Sequence, residues 1–154
     1  DMPVMIHMTP KIGGAYGLVD EPGLPKLEGM LKKYPKLKII GHSVPFWKEI
    51  SAPDTTGKVV EGRLPKLMRE YENLYCDLSA DSGRNAMMRD PEYAAAFMTE
   101  FADRIYYGCD ITAAIDTHPF LFRDFFDQLY TDGMISETVY RKISRDNAAK
   151  LLGL

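Results

Sequence analysis

Three polar residues have side chains of the types that most often bind a catalytic metal. His7 and His42 are two of only three histidines in the 154-residue chain, and each lies at or near the end of a short apolar run. Asp110 ends another such run. Two imidazoles and a carboxylate form a ligand set that catalytic zinc uses, and iron and manganese use it too. We therefore predict that His7, His42 and Asp110 bind a divalent transition metal, with zinc as the expected ion.

A metal held in this way has a defined chemistry. It lowers the pKa of a bound water to about 7 and polarises a substrate carbonyl. Asp110 would bind the metal and also take the proton from that water. Each residue also has a structural interpretation, because a histidine near a strand end often only makes hydrogen bonds, and Asp110 could cap a turn. The prediction rests on the joint pattern, since two of the only three histidines occupy the same structural position, at or near the carboxyl end of a predicted strand.

Four short apolar runs alternate with helical patterns along the chain. They are residues 3–8 (PVMIHM), 37–42 (LKIIGH), 74–78 (LYCDL) and 105–110 (IYYGCD). Runs of this length and composition are typical of buried parallel strands. In the intervening segments, Pro35 ends the first helix, while Asp90 and Ser136 are expected N-caps of later ones. The pattern predicts one α/β domain with a parallel sheet over residues 1–154.

The loops at the two edges of this sheet differ in length. Links from helix to strand are short, whereas links from strand to helix are long and rich in Gly, Pro, Ser and Asp. The long links are residues 9–23, 43–62 and 79–90. Long loops at the carboxyl ends of parallel strands usually carry the function. This asymmetry favours an enzyme or a ligand-binding protein, and the alternative is that the loops are tolerated insertions.

Composition narrows the class of protein further. The formal net charge of −3 gives no reason to expect a nucleic acid or an anionic membrane as partner. No apolar run approaches the roughly 20 residues that a membrane span needs. Cys76 and Cys109 lie in apolar runs, so we expect buried thiols in a reducing compartment, which indicates a cytoplasmic protein.

The sequences around the three predicted ligands resemble strand motifs of the amidohydrolase superfamily. PVMIH (3–7) resembles the fifth barrel strand of that family, KIIGH (38–42) the sixth, and YGCD (107–110) the eighth. The tail, 135–154, with RDNA and LLGL, is similar to the end of the amidohydrolase-2 branch. That branch includes aminocarboxymuconate-semialdehyde decarboxylase and related aromatic-acid decarboxylases. The resemblance implies parallel (β/α) units that form the C-terminal half of a TIM barrel, strands five to eight.

The resemblance also implies roles for the three residues. His7 would be a metal ligand, and Asp110 a ligand that also works as a base. His42 would bind a second metal or, as in the decarboxylase-like members, polarise the substrate or activate water. The His-x-His pair of the family's first barrel strand is absent from this sequence, which leaves at most three protein ligands here.

Length agrees with half a barrel, since a full one needs about 250 residues. The chain begins with Asp1 just before an apolar run, which suggests a cut inside a larger protein. We expect the missing strands to come from an N-terminal half-barrel or from a second copy of the chain.

Three functions remain open at this point. The first is a metal-dependent hydrolase that attacks a carbon–nitrogen or ester-type bond of a small-molecule substrate. The second is a lyase, namely a metal-dependent decarboxylase of an unsaturated or aromatic acid. The third is a non-catalytic half-barrel remnant that binds a partner through its exposed edge. The motifs do not separate the first two.

Several other residues are weaker candidates for the site. Phe46 and Trp47 follow His42 closely and would form either an aromatic wall or packing beneath a loop. Asp77 in the third run is expected to make a buried hydrogen bond rather than to act in catalysis. Arg84 and Arg89 would pair with a carboxylate substrate or simply meet solvent, and His118 would contact substrate, cap the start of a helix or meet solvent.

Overall fold

The structure, a computed structural model, describes residues 2–9, 16–51 and 57–154. The chain divides into two compact units, Asp1–Cys76 and Asp77–Leu154. Each has helices, strand residues and buried apolar side chains of its own. That residues 1–154 form one domain stays a prediction. Among the described residues, no helix is both long and apolar enough to cross a membrane.

The first unit is built on a parallel sheet. Its strands are β1 (Val4–Thr9), β2 (Leu18–Val19), β3 (Ile39–His42) and β4 (Leu74–Asp77), whose last residue begins the second unit. They lie in the order β2-β1-β3-β4, and each neighbouring pair is parallel. The predicted α/β class is confirmed. The short β2 was not predicted, because its two residues lie inside the segment that we expected to be a loop.

The described residues of this unit form three helices beside the sheet: α1 (Pro25–Lys33), α2 (Val44–Lys48) and α3 (Arg63–Glu70). The buried carboxylate of Asp20 accepts hydrogen bonds from the amides of Lys26, at 3.1 Å, and Leu27, at 2.9 Å. It thereby satisfies amides in the first turn of α1 that have no partner within the helix. The expected loop 43–62 is wrong in part, because α2 lies within it.

Glu28 joins α1 to α3 at the surface of the first unit. Its carboxylate lies 2.7 Å from the Lys32 ammonium and 2.8 Å from the Arg63 guanidinium, and it accepts a 3.1 Å hydrogen bond from the Tyr71 hydroxyl. These partners, Lys32 first and Arg63 second, lower the pKa of Glu28 from 4.5 to about 2. The ionised form is therefore favoured in the folded protein.

We expect Glu28→Gln to flatten the acid dependence of stability. A carboxyl whose pKa falls on folding adds stability that is full above the unfolded pKa of 4.5 and is lost as the pH falls toward about 2. Between these two pH values, the free energy of unfolding should fall less steeply in Glu28→Gln than in the parent. Urea unfolding at several pH values measures both slopes, and parallel slopes contradict the prediction.

The second unit contains β5 (Ile105–Tyr106) and most of the helices. They are α4 (Ala80–Met88), α5 (Pro91–Glu100), α6 (His118–Thr131), α7 (Glu137–Arg141) and α8 (Asn147–Leu152), with a 3-10 turn at Ala102–Arg104 and a π-helical turn at Lys142–Asp146. Two predicted N-caps are confirmed, since Asp90 accepts from the Tyr93 amide and Ser136 from the Val139 amide, both at 3.3 Å. The expected loop 79–90 is wrong, because α4 fills most of it. Its Gly, Ser and Asp content concealed a helix that buries Gly83, Ala86 and Met87 at helical spacing.

The last predicted strand, 105–110, is also shorter than expected. The Leu78 amide donates to the Tyr106 carbonyl at 3.0 Å, as in a strand pair. The next amide, that of Tyr107, donates to the Ile143 carbonyl in the π-helical turn at 3.1 Å. Strand pairing therefore stops at Tyr106, and the chain beyond it is a loop. Cys109 lies in this loop and is exposed, so the prediction of a buried thiol is wrong for it, whereas it is confirmed for Cys76.

Candidate functional site

His7 and His42 lie side by side, His7 two residues before the carboxyl end of β1 and His42 at the end of β3. The parallel register pairs them directly, and their ring centroids are 5.3 Å apart with the planes inclined at 53°. Two imidazoles that bind one tetrahedral metal through bonds of about 2 Å have ring centres roughly 5 Å apart. The spacing of this pair therefore fits a shared metal ion. His42 is only 8 % exposed, while His7 is half-buried, so His7 is the more accessible of the two.

A serine next to the pair fixes the two strands against each other. Ser43 is buried, and its Oγ accepts from the Met8 amide at 3.0 Å and donates to the Met8 carbonyl at 2.9 Å. One side chain thus satisfies both backbone groups of the residue that follows His7. Ser43 has φ 98°, a conformation that costs a non-glycine residue about 1–3 kcal/mol. The strained residue is thus the one whose side chain holds β1 and β3 together next to the two histidines.

Beneath the pair, β3 and α2 come unusually close together. A Cβ atom at Gly41 would lie 2.0 Å from Cε2 of Phe46, so only glycine fits beneath that ring. Phe46 and Trp47 are both buried, and their rings meet edge to face at 5.4 Å. Of the two interpretations offered for these aromatic residues, packing beneath the loop is the one that their burial supports.

Tyr16 and Gly17 contact His7 and were missed from the sequence. The Tyr16 ring lies 4.3 Å from the His7 ring, yet Tyr16 is 76 % exposed. Gly17 has φ 121°, and a Cβ there would lie 2.6 Å from the His7 carbonyl oxygen and 2.8 Å from its ring. Of these two residues, only Gly17 could have been noticed in the sequence, because glycine is the residue that most often adopts a positive φ. Residues 10–15 of the same predicted loop lie outside the described residues.

Asp110 belongs to the second unit, in the loop after β5. It is exposed and has φ 49°, so the prediction that it closes a strand is wrong. The turn that follows is capped by another carboxylate. Oδ2 of Asp116 accepts from the amides of Thr112, at 2.7 Å, and Ala113, at 2.8 Å. The roles of Asp110 as metal ligand and base stay predictions.

The C-terminal RDNA motif anchors β5 and the start of the Asp110 loop. Within it, Nδ2 of the buried Asn147 donates to the carbonyls of Ala102, at 2.7 Å, and Ile105, at 2.8 Å. The bond from the Tyr107 amide to Ile143 continues this attachment. The motif therefore fixes the backbone from which Asp110 extends.

Asp77 is buried near the same loop. Its Oδ1 accepts from the Ser79 amide at 2.6 Å, which confirms the predicted buried hydrogen bond. A Cβ at Gly108 would lie 3.1 Å from Oδ2 of Asp77, so the carboxylate packs against the chain two residues before Asp110. Arg84 on α4 forms a 3.0 Å ion pair with Asp81.

The predicted metal site can be compared with the positions of the possible ligand side chains. In the described part of the chain, no group of three or more His, Cys, Asp or Glu side chains is arranged to hold a metal ion. A catalytic zinc generally has three protein ligands. The two imidazoles of the first unit are spaced as two of these ligands would be. A tightly bound ion needs at least one further protein ligand.

Comparison with known proteins bears on the whole chain. No curated protein and no solved structure matches it. The family model for amidohydrolases matches residues 1–154. Parallel strands alternating with helices are consistent with part of a TIM barrel. The chain belongs to the amidohydrolase family, in its amidohydrolase-2 branch.

Proposed function

We propose that this chain carries part of the active site of a metal-dependent hydrolase, which cleaves a carbon–nitrogen or ester-type bond of a small molecule. Membership of the amidohydrolase family supports an enzyme of this general class. The observation that carries the proposal is the His7–His42 pair, with ring centroids 5.3 Å apart near the carboxyl ends of two parallel strands. When bound, a divalent transition metal, zinc as our first choice, supplies Lewis acidity toward a carbonyl and acidifies water.

The protein residues then have separate tasks. His7, the more accessible imidazole, binds the metal, and the two hydrogen bonds between Ser43 and the Met8 backbone keep its strand in place. His42 shares the ion or polarises the substrate carbonyl. Asp110 is a further ligand, which also takes the proton from the attacking water and returns it to the leaving group.

We also propose that further β/α units of the same polypeptide complete the site. β2 pairs with β1 only at Met8 and Thr9, and no other described strand extends along that edge of β1. Val4 and Met5 on β1 are 40 % and 56 % exposed. An open strand edge with exposed apolar side chains favours pairing with another strand. We choose preceding units over a second copy, because the resemblance expects the missing His-x-His pair on an earlier strand.

The decarboxylase remains the second candidate, and one observation favours it. Nε of Arg84 is buried and has no hydrogen-bond partner among the described residues. A guanidinium with an unused donor suits a carboxylate. In that case the enzyme would be a lyase that acts on an unsaturated or aromatic acid. The third alternative, a non-catalytic remnant, predicts no metal binding.

The proposal is tested with the full-length gene product, stripped of metal and titrated with zinc. We expect stoichiometric binding, followed by metal-dependent release of amine or alcohol from a panel of amides and esters. Release of carbon dioxide from aromatic or unsaturated acids, without hydrolysis of the panel, supports the decarboxylase instead. Absence of metal binding overturns both catalytic functions and leaves the remnant.

A further inference from the structure

The Thr9 side chain is buried without a hydrogen-bond partner. Thr9 is only 3 % exposed, and its Oγ1 bonds to no other group in the described part of the chain. Buried hydroxyl groups nearly always find a partner, and one left unpaired costs about 1–3 kcal/mol. Valine has the same branched shape and would fill this strand position without that cost. The described part of the fold therefore gives no reason for a hydroxyl at this position.

The place of Thr9 on β1 relates it to the histidine pair. It follows His7 by two residues on the same strand, so the two side chains share one face of the sheet. Thr9 is the last residue of β1 and is one step nearer the carboxyl edge. The backbone between them is fixed, because Ser43 holds both polar groups of Met8 and Thr9 itself pairs with Val19.

We propose that the Thr9 hydroxyl donates a hydrogen bond to a substrate oxygen, either a carboxylate or a second carbonyl, that is not part of the bond being cleaved. Two residues along a strand span about 6.6 Å, which separates this oxygen from the reacting carbonyl near His7. Thr9 is thus a specificity-determining residue that selects substrates with an acceptor at this distance. The inference rests on the proposed hydrolase function.

The test compares Thr9→Val with Thr9→Ser in the full-length, zinc-loaded enzyme. For Thr9→Val we expect KM to rise about 10-fold, which corresponds to the loss of one hydrogen bond. The free energy of unfolding, measured in urea without substrate, should stay the same or increase, because an unpaired buried hydroxyl has been removed. Thr9→Ser keeps the donor and should keep KM within about twofold of the parent.

Thr99→Val serves as the matched control. The Thr99 hydroxyl donates to the Ala95 carbonyl within α5 at 2.7 Å, so its loss should leave KM unchanged. An unchanged KM in Thr9→Val, in an enzyme that hydrolyses its substrate, overturns the inference about Thr9 alone. A clear loss of stability in Thr9→Val overturns it as well, since the hydroxyl would then have a partner within the fold. A parent that binds no metal and hydrolyses nothing overturns the proposed function, and this inference with it.

Discussion

Replacement of His7 by alanine should lower zinc affinity at least about 100-fold and reduce hydrolysis by a similar factor or more, because even residues that only orient metal ligands are worth about 10- to 100-fold. His7 is the accessible member of the pair, and its ring contacts both His42, at 5.3 Å, and Tyr16, at 4.3 Å. Its removal takes one nitrogen ligand from the ion, so the remaining ligands hold zinc less tightly. Competition with a coloured chelator measures the affinity without reference to activity.

Met5→Ala is the control for this experiment. Met5 lies two residues before His7 on β1, on the same face, and is exposed. It carries no imidazole, so zinc affinity should stay close to that of the parent. The metal-free His7→Ala protein should unfold at nearly the parental urea concentration, which separates loss of a ligand from loss of the fold. Equal zinc affinity in His7→Ala and the parent would show that His7 does not bind the metal.

The histidine pair could be predicted from the sequence because the ends of neighbouring parallel strands lie together. Each histidine lies near the end of an apolar run of strand length, and neighbouring parallel strands place their carboxyl ends at one edge. These two facts predict that both histidines lie near one edge of the sheet, whereas the exact register, His7 opposite His42, is known only from the structure. The helix starts at Asp90 and Ser136 could also be predicted, because an N-cap is recognised from neighbouring residues in the sequence.

The rest depended on contacts between residues far apart in the chain. β5 ends early because the Tyr107 amide bonds to Ile143, some distance along the sequence in a π-helical turn. The local sequence YGCD contains no sign of the bond to Ile143, so Asp110 was assigned to a strand end. Ser43 was missed for the same reason, because its function is visible only once Met8 lies opposite it.

Two features that reduce stability lie near the histidine pair. Ser43 has a strained backbone, and the Thr9 hydroxyl has no hydrogen-bond partner among the described residues. Strain and unsatisfied polar groups tend to occur where function requires them. Their concentration at the ends of β1 and β3 independently supports a functional site there.

Gly41→Ala should destabilise the protein by about 3 kcal/mol, near the upper end of the usual cost of overpacking a core. The added methyl group would lie 2.0 Å from the Phe46 ring, and neither side can yield easily, since Gly41 is within β3 and Phe46 is fully buried. Gly29→Ala is the matched control. Gly29 lies in α1 with no atom near its Cβ position. Alanine there should therefore raise the free energy of unfolding by about 0.5–1 kcal/mol.

The cause of this loss can be isolated by a second substitution. Phe46→Leu removes Cε2 and Cζ, the two ring atoms nearest to the new methyl group, although it keeps the δ carbons and leaves a cavity of its own. If the close contact is the cause, Gly41→Ala should cost at least about 1 kcal/mol less in the Phe46→Leu background than in the parent. Urea unfolding of all four proteins gives the coupling energy, and strict additivity would refute the contact. Because His42 follows Gly41 directly, the same cycle repeated on zinc affinity shows whether this packing also positions the imidazole: affinity lost in Gly41→Ala should return with Phe46→Leu.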